Sequence, residues 1–257
     1  LSNQPKPHRA RLSAQIRHRI GTLDIDVDFQ LTQPWIILFG PSGSGKSTIL
    51  RAIAGLVRPA SARIVSSSTL VDTEDRLFLP PYQRVVPLAP QQPSLFPHLT
   101  VSANICYALS FRKPSRYWLQ NLELVLSLFQ VSHLSGKLPA ALSGGEAQRV
   151  NLARAAVATT VGGILLLDEP FTGLDPTLRS ELMTDLQAWA AKRDLCVLSV
   201  THDIAEAFQL NAEVIKLSNG RITHQGPAAA VLAEERTRLL AQLNGPAKAG
   251  GPSPGSQ

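Results

Sequence analysis

Nine residues, Gly40-Pro41-Ser42-Gly43-Ser44-Gly45-Lys46-Ser47-Thr48, gather three glycines, one lysine and four hydroxyls directly after the apolar run Trp35–Phe39. These residue types build a phosphate cradle. Glycines let successive backbone N–H groups turn toward one anion without Cβ clashes. A helix opening at Lys46 points its positive dipole end at the same place. Lys46 can reach β- and γ-phosphates, and the Ser47 hydroxyl can ligate Mg²⁺. An ordinary Gly/Ser turn would need neither this spacing nor a strand before it and a helix after it.

Three further segments carry chemistry that such a cradle needs. Ile164-Leu-Leu-Leu167 ends in Asp168-Glu169, two carboxylates at the end of an apolar strand. Asp168 would lie near the metal held by Ser47, and Glu169, one residue further, could polarise a water for attack on a γ-phosphate. Leu142-Ser143-Gly144-Gly145-Glu146 is another Gly-rich helix start, which one phosphate loop does not require. It reads either as a second anion site, binding its own anion or gripping one from across a dimer, or as a capping box with Ser143 as cap and Glu146 three residues on. Both readings can hold together. Thr201-His202-Asp203 follows the apolar run Leu195–Val200, so His202 could hydrogen-bond a γ-phosphate.

The elements that position these residues are legible in outline. Leu23, Ile25, Val27, Phe29 and Leu31 alternate with Asp24, Asp26, Asp28 and Gln30, a half-buried strand. Trp35–Phe39, Ile164–Leu167 and Leu195–Val200 are short continuous apolar runs, as in strands buried on both faces. Lys46–Ala54 is helical, stopped by Gly55 and Pro59. Val85–Ala89 is a candidate strand, and residues 60–83 read as short strands and loops. From about 92 to 142 the pattern is helical, with Leu119, Leu122, Leu126 and Phe129 at helical spacing. Gly144 opens a helix through about Ala158, and another spans about Leu178–Ala191. Glu213–Leu217 and Arg221–Gln225 flank Ser218-Asn219-Gly220, a hairpin signal. Strands alternating with helices argue for an α/β fold with a largely parallel sheet, whose ligands gather at the carboxyl ends of the strands.

Composition bounds the function. The 257 residues correspond to about 1.7 domains of average size. The formal net charge is +6, but Lys6, Arg9, Arg11, Arg17 and Arg19 all precede the first acid, Asp24, and without them the rest is near neutral. That pattern suggests a basic terminal arm, solvated or drawn to anionic lipid or a partner, rather than a nucleic-acid groove. Cys106 and Cys196 lack metal-ligand spacing and read as reduced thiols of a cytosolic protein. No apolar run approaches the ~18 residues of a bilayer span, and the N-terminal stretch has no apolar signal-peptide core. The expectation is a soluble chain, or one held at a membrane by a partner.

Taken in order, Gly40–Thr48, Leu142–Gln148, Ile164–Pro170, Thr172-Gly-Leu-Asp175 and His202 resemble the ATPase subunit of an ATP-binding cassette (ABC) transporter. The resemblance covers about residues 12–240. It implies a P-loop NTPase: a RecA-like core with a mixed, largely parallel sheet, an N-terminal antiparallel β subdomain and an inserted α-helical subdomain. The nucleotide-binding domain would span 12–244 with its helical part at about 92–158, leaving 245–257 as a disordered Gly/Pro/Ser-rich tail. It further implies an Mg²⁺-dependent ATPase at the cytoplasmic face of the membrane, bound to integral-membrane permease subunits and served by a substrate-binding protein. Two copies would sandwich two ATP molecules, each between the 40–48 loop of one and Ser143–Glu146 of the other. By the family's roles Glu169 is the catalytic base, His202 the γ-phosphate switch, Gln91 a sensor of Mg²⁺ and the membrane partner, and Asp175 the contact across the dimer. Leu79-Pro-Pro-Tyr-Gln-Arg84-Val and Leu95-Phe-Pro-His98-Leu-Thr-Val are similar to importer ATPases, nearest to the molybdate-importer type.

Several positions depart from the family's pattern. Glu146 stands where Gln is usual. No Phe, Tyr or Trp precedes Phe29, so an adenine platform would have to come from His18 or Arg17. Ala89-Pro90 stands before Gln91 where an apolar-aromatic pair is common. Many molybdate-importer ATPases carry a C-terminal β domain, and regulation by such a domain is not expected here. A second reading is a soluble cassette protein acting on ribosomes or nucleic acid, and a third is a nucleotide-binding scaffold without useful turnover.

Overall fold

The computed structural model describes residues 11–109 and 116–243. Strand β1 (Leu12–Ile20) pairs antiparallel with β2 (Leu23–Leu31). On both strands alternate residues turn inward: Leu12, Ala14 and Ile16 face Val27, Phe29 and Leu31, while the Asp residues of β2 face solvent. β1 corrects an expectation. Arg17 and Arg19 belong to no free basic arm; they sit on its outer face, 3.1 Å from Asp26 and 3.6 Å from Asp24. Arg11 pairs with Asp194. Basic side chains on an exposed face hid the weaker apolar alternation beneath them. Such exposed pairs contribute about 0–1 kcal/mol, so burial of the inner face holds the strand. Lys6, Arg9 and the stretch 245–257 lie outside the described residues.

β3 (Trp35–Phe39) is buried throughout. Trp35, Ile37 and Phe39 enter one apolar layer and Ile36 and Leu38 the other, which is why the sequence shows an unbroken apolar run. The chain continues through α1 (Lys46–Ala54), β4 (Ser61–Val65), β5 (Thr69–Asp72), β6 (Leu77–Phe78) and β7 (Leu88–Ala89). β7 is shorter than the expected Val85–Ala89, because Pro87 has no N–H to offer a ladder. Then come α2 (Val101–Cys106), α3 (Arg116–Leu128) and α4 (Gly144–Ala158). The final third runs β8 (Ile164–Asp168), α5 (Pro176–Lys192), β9 (Cys196–Thr201), α6 (Ile204–Gln209), β10 (Glu213–Ser218), β11 (Arg221–Pro227), α7 (Ala228–Val231) and α8 (Ala233–Leu243).

Among the described residues one eleven-stranded sheet runs β6-β5-β4-β1-β2-β11-β10-β3-β9-β8-β7. The block β10-β3-β9-β8-β7 is parallel, and β6-β5-β4-β1-β2 is antiparallel. β11 joins the two, turning back from β10 through Asn219 and Gly220, both at positive φ, as a two-residue hairpin requires. α1 packs with the layer containing β1 and β2; α2, α4 and α5 pack on the opposite face. The sheet therefore delivers the carboxyl ends of β3, β8 and β9 side by side.

Candidate functional site

Gly40–Thr48 wraps from the end of β3 into the start of α1. Gly40 lies so close to the Leu217 carbonyl that a Cβ there would sit 2.3 Å from its oxygen. Gly45 caps α1 in the left-handed region, at φ 100°, against the side chains of Ile25 and Leu23. Lys46 folds back under the loop, and its Nζ donates to the carbonyls of Gly40 and Pro41, each at 2.8 Å. Burial lowers its pKa, a shift opposed by the nearby Glu169 and Asp168 carboxylates. The buried Ser44 Oγ has no partner. Such a hydroxyl, at a helix N-terminus and close in sequence to a buried amine, suits an anion.

Ser47 Oγ, at the first turn of α1, donates to Asp168 Oδ1 at 3.0 Å. Asp168 closes β8 almost wholly buried, and burial raises its pKa against the Ser47 hydrogen bond and the charge of Arg51. A buried carboxylate beside a hydroxyl is a hard-oxygen pair suited to Mg²⁺, which in nucleotide sites takes one or two carboxylates plus phosphate oxygens. Among the described residues no cluster of three or more His, Cys, Asp or Glu side chains is poised to hold a metal, as that mode of binding allows.

Glu169 follows in the left-handed region, at φ 47°, a conformation that costs a non-glycine residue of order 1–3 kcal/mol. Its carboxylate is held from three sides. Gln91 Nε2 donates at 3.0 Å and Thr172 Oγ1 at 3.3 Å, while His202 Nδ1 lies 3.3 Å away. Lys46, Ser47, Gln91, Asp168, Glu169 and His202 thus converge at the ends of β3, β8 and β9, although their numbers span more than 150 positions.

Ser143–Glu146 does not join them; among the described residues no hydrogen bond ties it to Gly40–Thr48. It opens α4 with a reciprocal capping box: Glu146 N donates to Ser143 Oγ at 3.2 Å, and Ser143 N to Glu146 Oε2 at 2.7 Å. The Ser143 hydrogen bonds and the nearby Lys137 hold the Glu146 carboxyl below its usual pKa. Gly145 packs against Leu174 and Gly173, so the turn before Asp175 lies under the start of α4. Asp175 itself caps α5 through Thr177 N at 2.9 Å and Leu178 N at 3.3 Å.

The register of β1 separates the two adenine-platform candidates. His18 pairs with Ile25, the residue touching Gly45, and its own Nδ1 is buried without a partner. Arg17 points to the opposite face and is engaged by Asp26.

Four residues to which the sequence assigns no role support the site. Gln148 and Asn151 on α4 donate to backbone carbonyls at Pro170 and Pro90. Arg179 on α5 binds Asp203 at 2.7 Å, bracing the turn that carries His202. Arg84 caps the C-terminus of α1 through the carbonyls of Ala52 and Ile53 and lies over the Phe78 ring, opposing the negative end of that helix dipole. Gln148 and Arg84 lie inside stretches already noted, but neither these nor Asn151 and Arg179 carry a local sign of their role, because each acts on backbone carbonyls or a distant side chain.

Comparisons with known proteins agree with this geometry. Residues 24–172 match the ABC transporter family model. The chain is 36% identical over 226 residues to the molybdenum import ATP-binding protein ModC of Mesorhizobium japonicum, covering 88% of this chain and 60% of that one. It is 38% identical to the molybdate/tungstate import ATP-binding protein WtpC of Archaeoglobus fulgidus, covering 84% and 86% respectively. The chain spans about 60% of the length of the ModC relatives it matches. In fold it is similar to a solved ATP-binding subunit of an ABC transporter, with TM-score 0.74, 24% identity and coverage of 90% and 98%. It is also similar to cbiO1 from Clostridium perfringens, part of the ABC transporter complex cbiONQ, with TM-score 0.70, 23% identity and coverage of 92% and 96%. A phosphate cradle, a strand-end carboxylate pair and a separate capped glycine helix, assembled on this sheet and matched along most of a full-length relative, mark the chain as a member of the ABC transporter family.

Proposed function

We propose that the chain is the Mg²⁺-dependent ATP-hydrolysing subunit of an importer, with molybdate or a similar oxyanion as cargo. The observation that carries the reading is Ser47 bonded to the buried Asp168, with Glu169 one residue beyond and held by Gln91, Thr172 and His202. In this reading Gly40–Thr48 binds the phosphates through backbone N–H groups and Lys46. Ser47, Asp168 and Gln91 would hold Mg²⁺, which when bound neutralises phosphate charge. Glu169 accepts a proton from the water whose oxygen attacks the γ-phosphorus, and the bond from that phosphorus to the β–γ bridging oxygen breaks. His202 contacts the γ-phosphate. Glu169 leaves its present partners to take up that water, so its three hydrogen bonds describe a resting position.

The open capped start of α4 supports the homodimer. Ser143, Gly144, Gly145 and Glu146 of one copy would complete the nucleotide site of another, with Asp175 beside them. Residues 12–244 form the ATP-binding unit in this reading, with the helical part at about 92–158. Among the described residues no helix is long and apolar enough to cross a membrane. Attachment at the cytoplasmic face would run through permease subunits, supplied by a substrate-binding protein. The names of the ModC and WtpC relatives support import and the oxyanion.

The test is recovery of a tagged Glu169→Gln chain, with ATP present, from detergent-solubilised membranes of its own organism. The expected companions are a multi-span permease and a binding protein that retains molybdate. Ribosomal or nucleic-acid companions without a membrane protein would overturn the transport reading.

A further inference from the structure

Helix α4 carries three side chains at spacing i, i+3 and i+6 that donate to backbone outside the helix. Gln148 Nε2 donates to the Pro170 carbonyl at 3.0 Å and reaches the Glu169 carbonyl at 3.4 Å. Asn151 Nδ2 donates to the Pro90 carbonyl at 2.8 Å, one residue before Gln91. Arg154 Nη1 donates to the Ser94 carbonyl at 2.9 Å. Gln148 and Asn151 are 4% and 1% exposed, so neither is a surface contact. Their targets are the two backbone segments that present Glu169 and Gln91, whose side chains meet at 3.0 Å. The same helix begins at Ser143–Gly144, and Gly145 lies on Leu174 and Gly173 of the turn that follows Glu169.

We propose that Gln148 and Asn151 are positioning residues that fix Glu169 and Gln91 to the rigid body of α4, so that contact of its N-terminus with the nucleotide bound to a second copy sets the geometry of the catalytic carboxylate in its own. This deepens the dimeric ATPase reading and rests on it. The physical basis is short. A helix transmits a displacement at its first turn to side chains one turn later, because its own hydrogen bonds keep it stiff. The Glu169 peptide is in the left-handed region and needs outside support to stay there. Gln148 supplies that support from one turn beyond the N-terminus. Its Oε1 is buried without a donor, so the amide is anchored from its donor end only and can follow α4 without losing a second bond. A movement of α4 shifts the Glu169 and Gln91 backbones together, changing the distance of both side chains from the phosphates.

The test uses the whole chain and ATP with Mg²⁺. Gln148→Met keeps the length of the side chain and removes its donors; Asn151→Leu does the same at the second clamp. The expected result is ATP affinity of isolated subunits within about two-fold of the parent, with kcat lower by roughly ten- to hundred-fold, the size of effect that a misplacement near 1 Å produces. The Hill coefficient for ATP should fall toward 1, and ATP-driven dimerisation in the Glu169→Gln background should persist. Unchanged kcat and Hill coefficient in both variants would overturn the proposal. So would a parallel loss of affinity, kcat and melting temperature, which marks support of the fold alone. If Gln148→Met does not fold, Asn151→Leu decides by the same readouts, because its contact at Pro90 is separate. A parent chain that hydrolyses ATP with a Hill coefficient of 1 would overturn this coupling and leave the ATPase reading standing; a parent chain without hydrolysis would remove both.

Discussion

Two glycine-rich helix starts in this molecule look alike as sequence and differ as structure. Gly40–Thr48 is closed. Gly40 is pinned against a backbone carbonyl, Ser44 and Lys46 are 3% and 6% exposed, and Lys46 Nζ folds back onto the carbonyls of Gly40 and Pro41. Ser143–Glu146 is open. Nothing lies within 4 Å of where a Gly144 Cβ would be, and its polar groups are satisfied by their own capping box. The same helix-terminus chemistry therefore yields one loop enclosed by its own chain and another left open at the surface. Packing decides which: β3, β10 and β2 enclose the first, whereas the second stands at the rim.

The largest expected effect tests the closed site. Glu169→Gln removes the carboxylate proposed as general base and should lower steady-state ATP hydrolysis about 10²- to 10⁴-fold while leaving ATP binding intact, read by a coupled phosphate assay and a binding titration. The open site is broken by Gly144→Asp. The space there admits the side chain without disturbing the single chain, and its charge would meet a partner's nucleotide. Like charges brought together at an interface cost several kcal/mol, so hydrolysis should drop about hundred-fold with subunit ATP affinity unchanged. Parallel loss of affinity would mean that Ser143–Glu146 serves the nucleotide of its own chain. Lys46→Ala should weaken ATP binding by roughly 1.5–3 kcal/mol, about ten- to hundred-fold, as one charge-assisted contact is lost; calorimetry reads it directly.

Two glutamates sharpen the contrast further. Glu206, on α6 behind His202, is buried, and its pKa is pushed up to about 7 by desolvation, with the Thr201 hydrogen bond opposing and Asp203 adding to the rise. Its folded pKa exceeds its unfolded value of 4.5. Its contribution to stability is therefore fully present below pH 4.5 and is lost as pH rises through about 7. Glu206→Gln mimics the neutral acid. It should hold its melting temperature from pH 5 to 8 while the parent loses up to about 3 kcal/mol of stability. Equal slopes for the two would show that Glu206 titrates normally. Glu146 has the opposite sign: with its pKa lowered by the cap, its contribution is present above the usual carboxylate range and lost as pH falls through the folded value. Glu146→Gln keeps a capping box and should give the smallest change, a weaker acid-side loss in a melting series below pH 5.

Residue pattern alone carried the parallel-sheet class, the strands at 35–39 and 164–167 (the latter one residue longer in the structure), the helix that begins at Lys46 and the hairpin at Asn219-Gly220. Each is governed by local periodicity or by a turn that demands positive φ. The pattern missed β1, because Ala14 and His18 dilute its inner face and Arg17 and Arg19 advertise charge. It also missed α7 and α8, whose short or mostly exposed faces bury little. Pro87 trimmed β7 by removing a donor.

Of the site, the sequence by itself determined the chemical inventory: a glycine loop with Lys46 and Ser47, a carboxylate pair at 168–169, a capped glycine start at 143 and a histidine at 202. Spacing and residue type suffice for that, since these are properties of neighbouring residues. Tertiary structure alone decided that Gln91 and His202 meet at Glu169, that Arg17 turns away while His18 lies beside Ile25, and that Gln148 and Asn151 tie two distant backbone segments to one helix. Those facts depend on strand order and on which face of each strand is buried, quantities set by the whole sheet and not by any window of the chain.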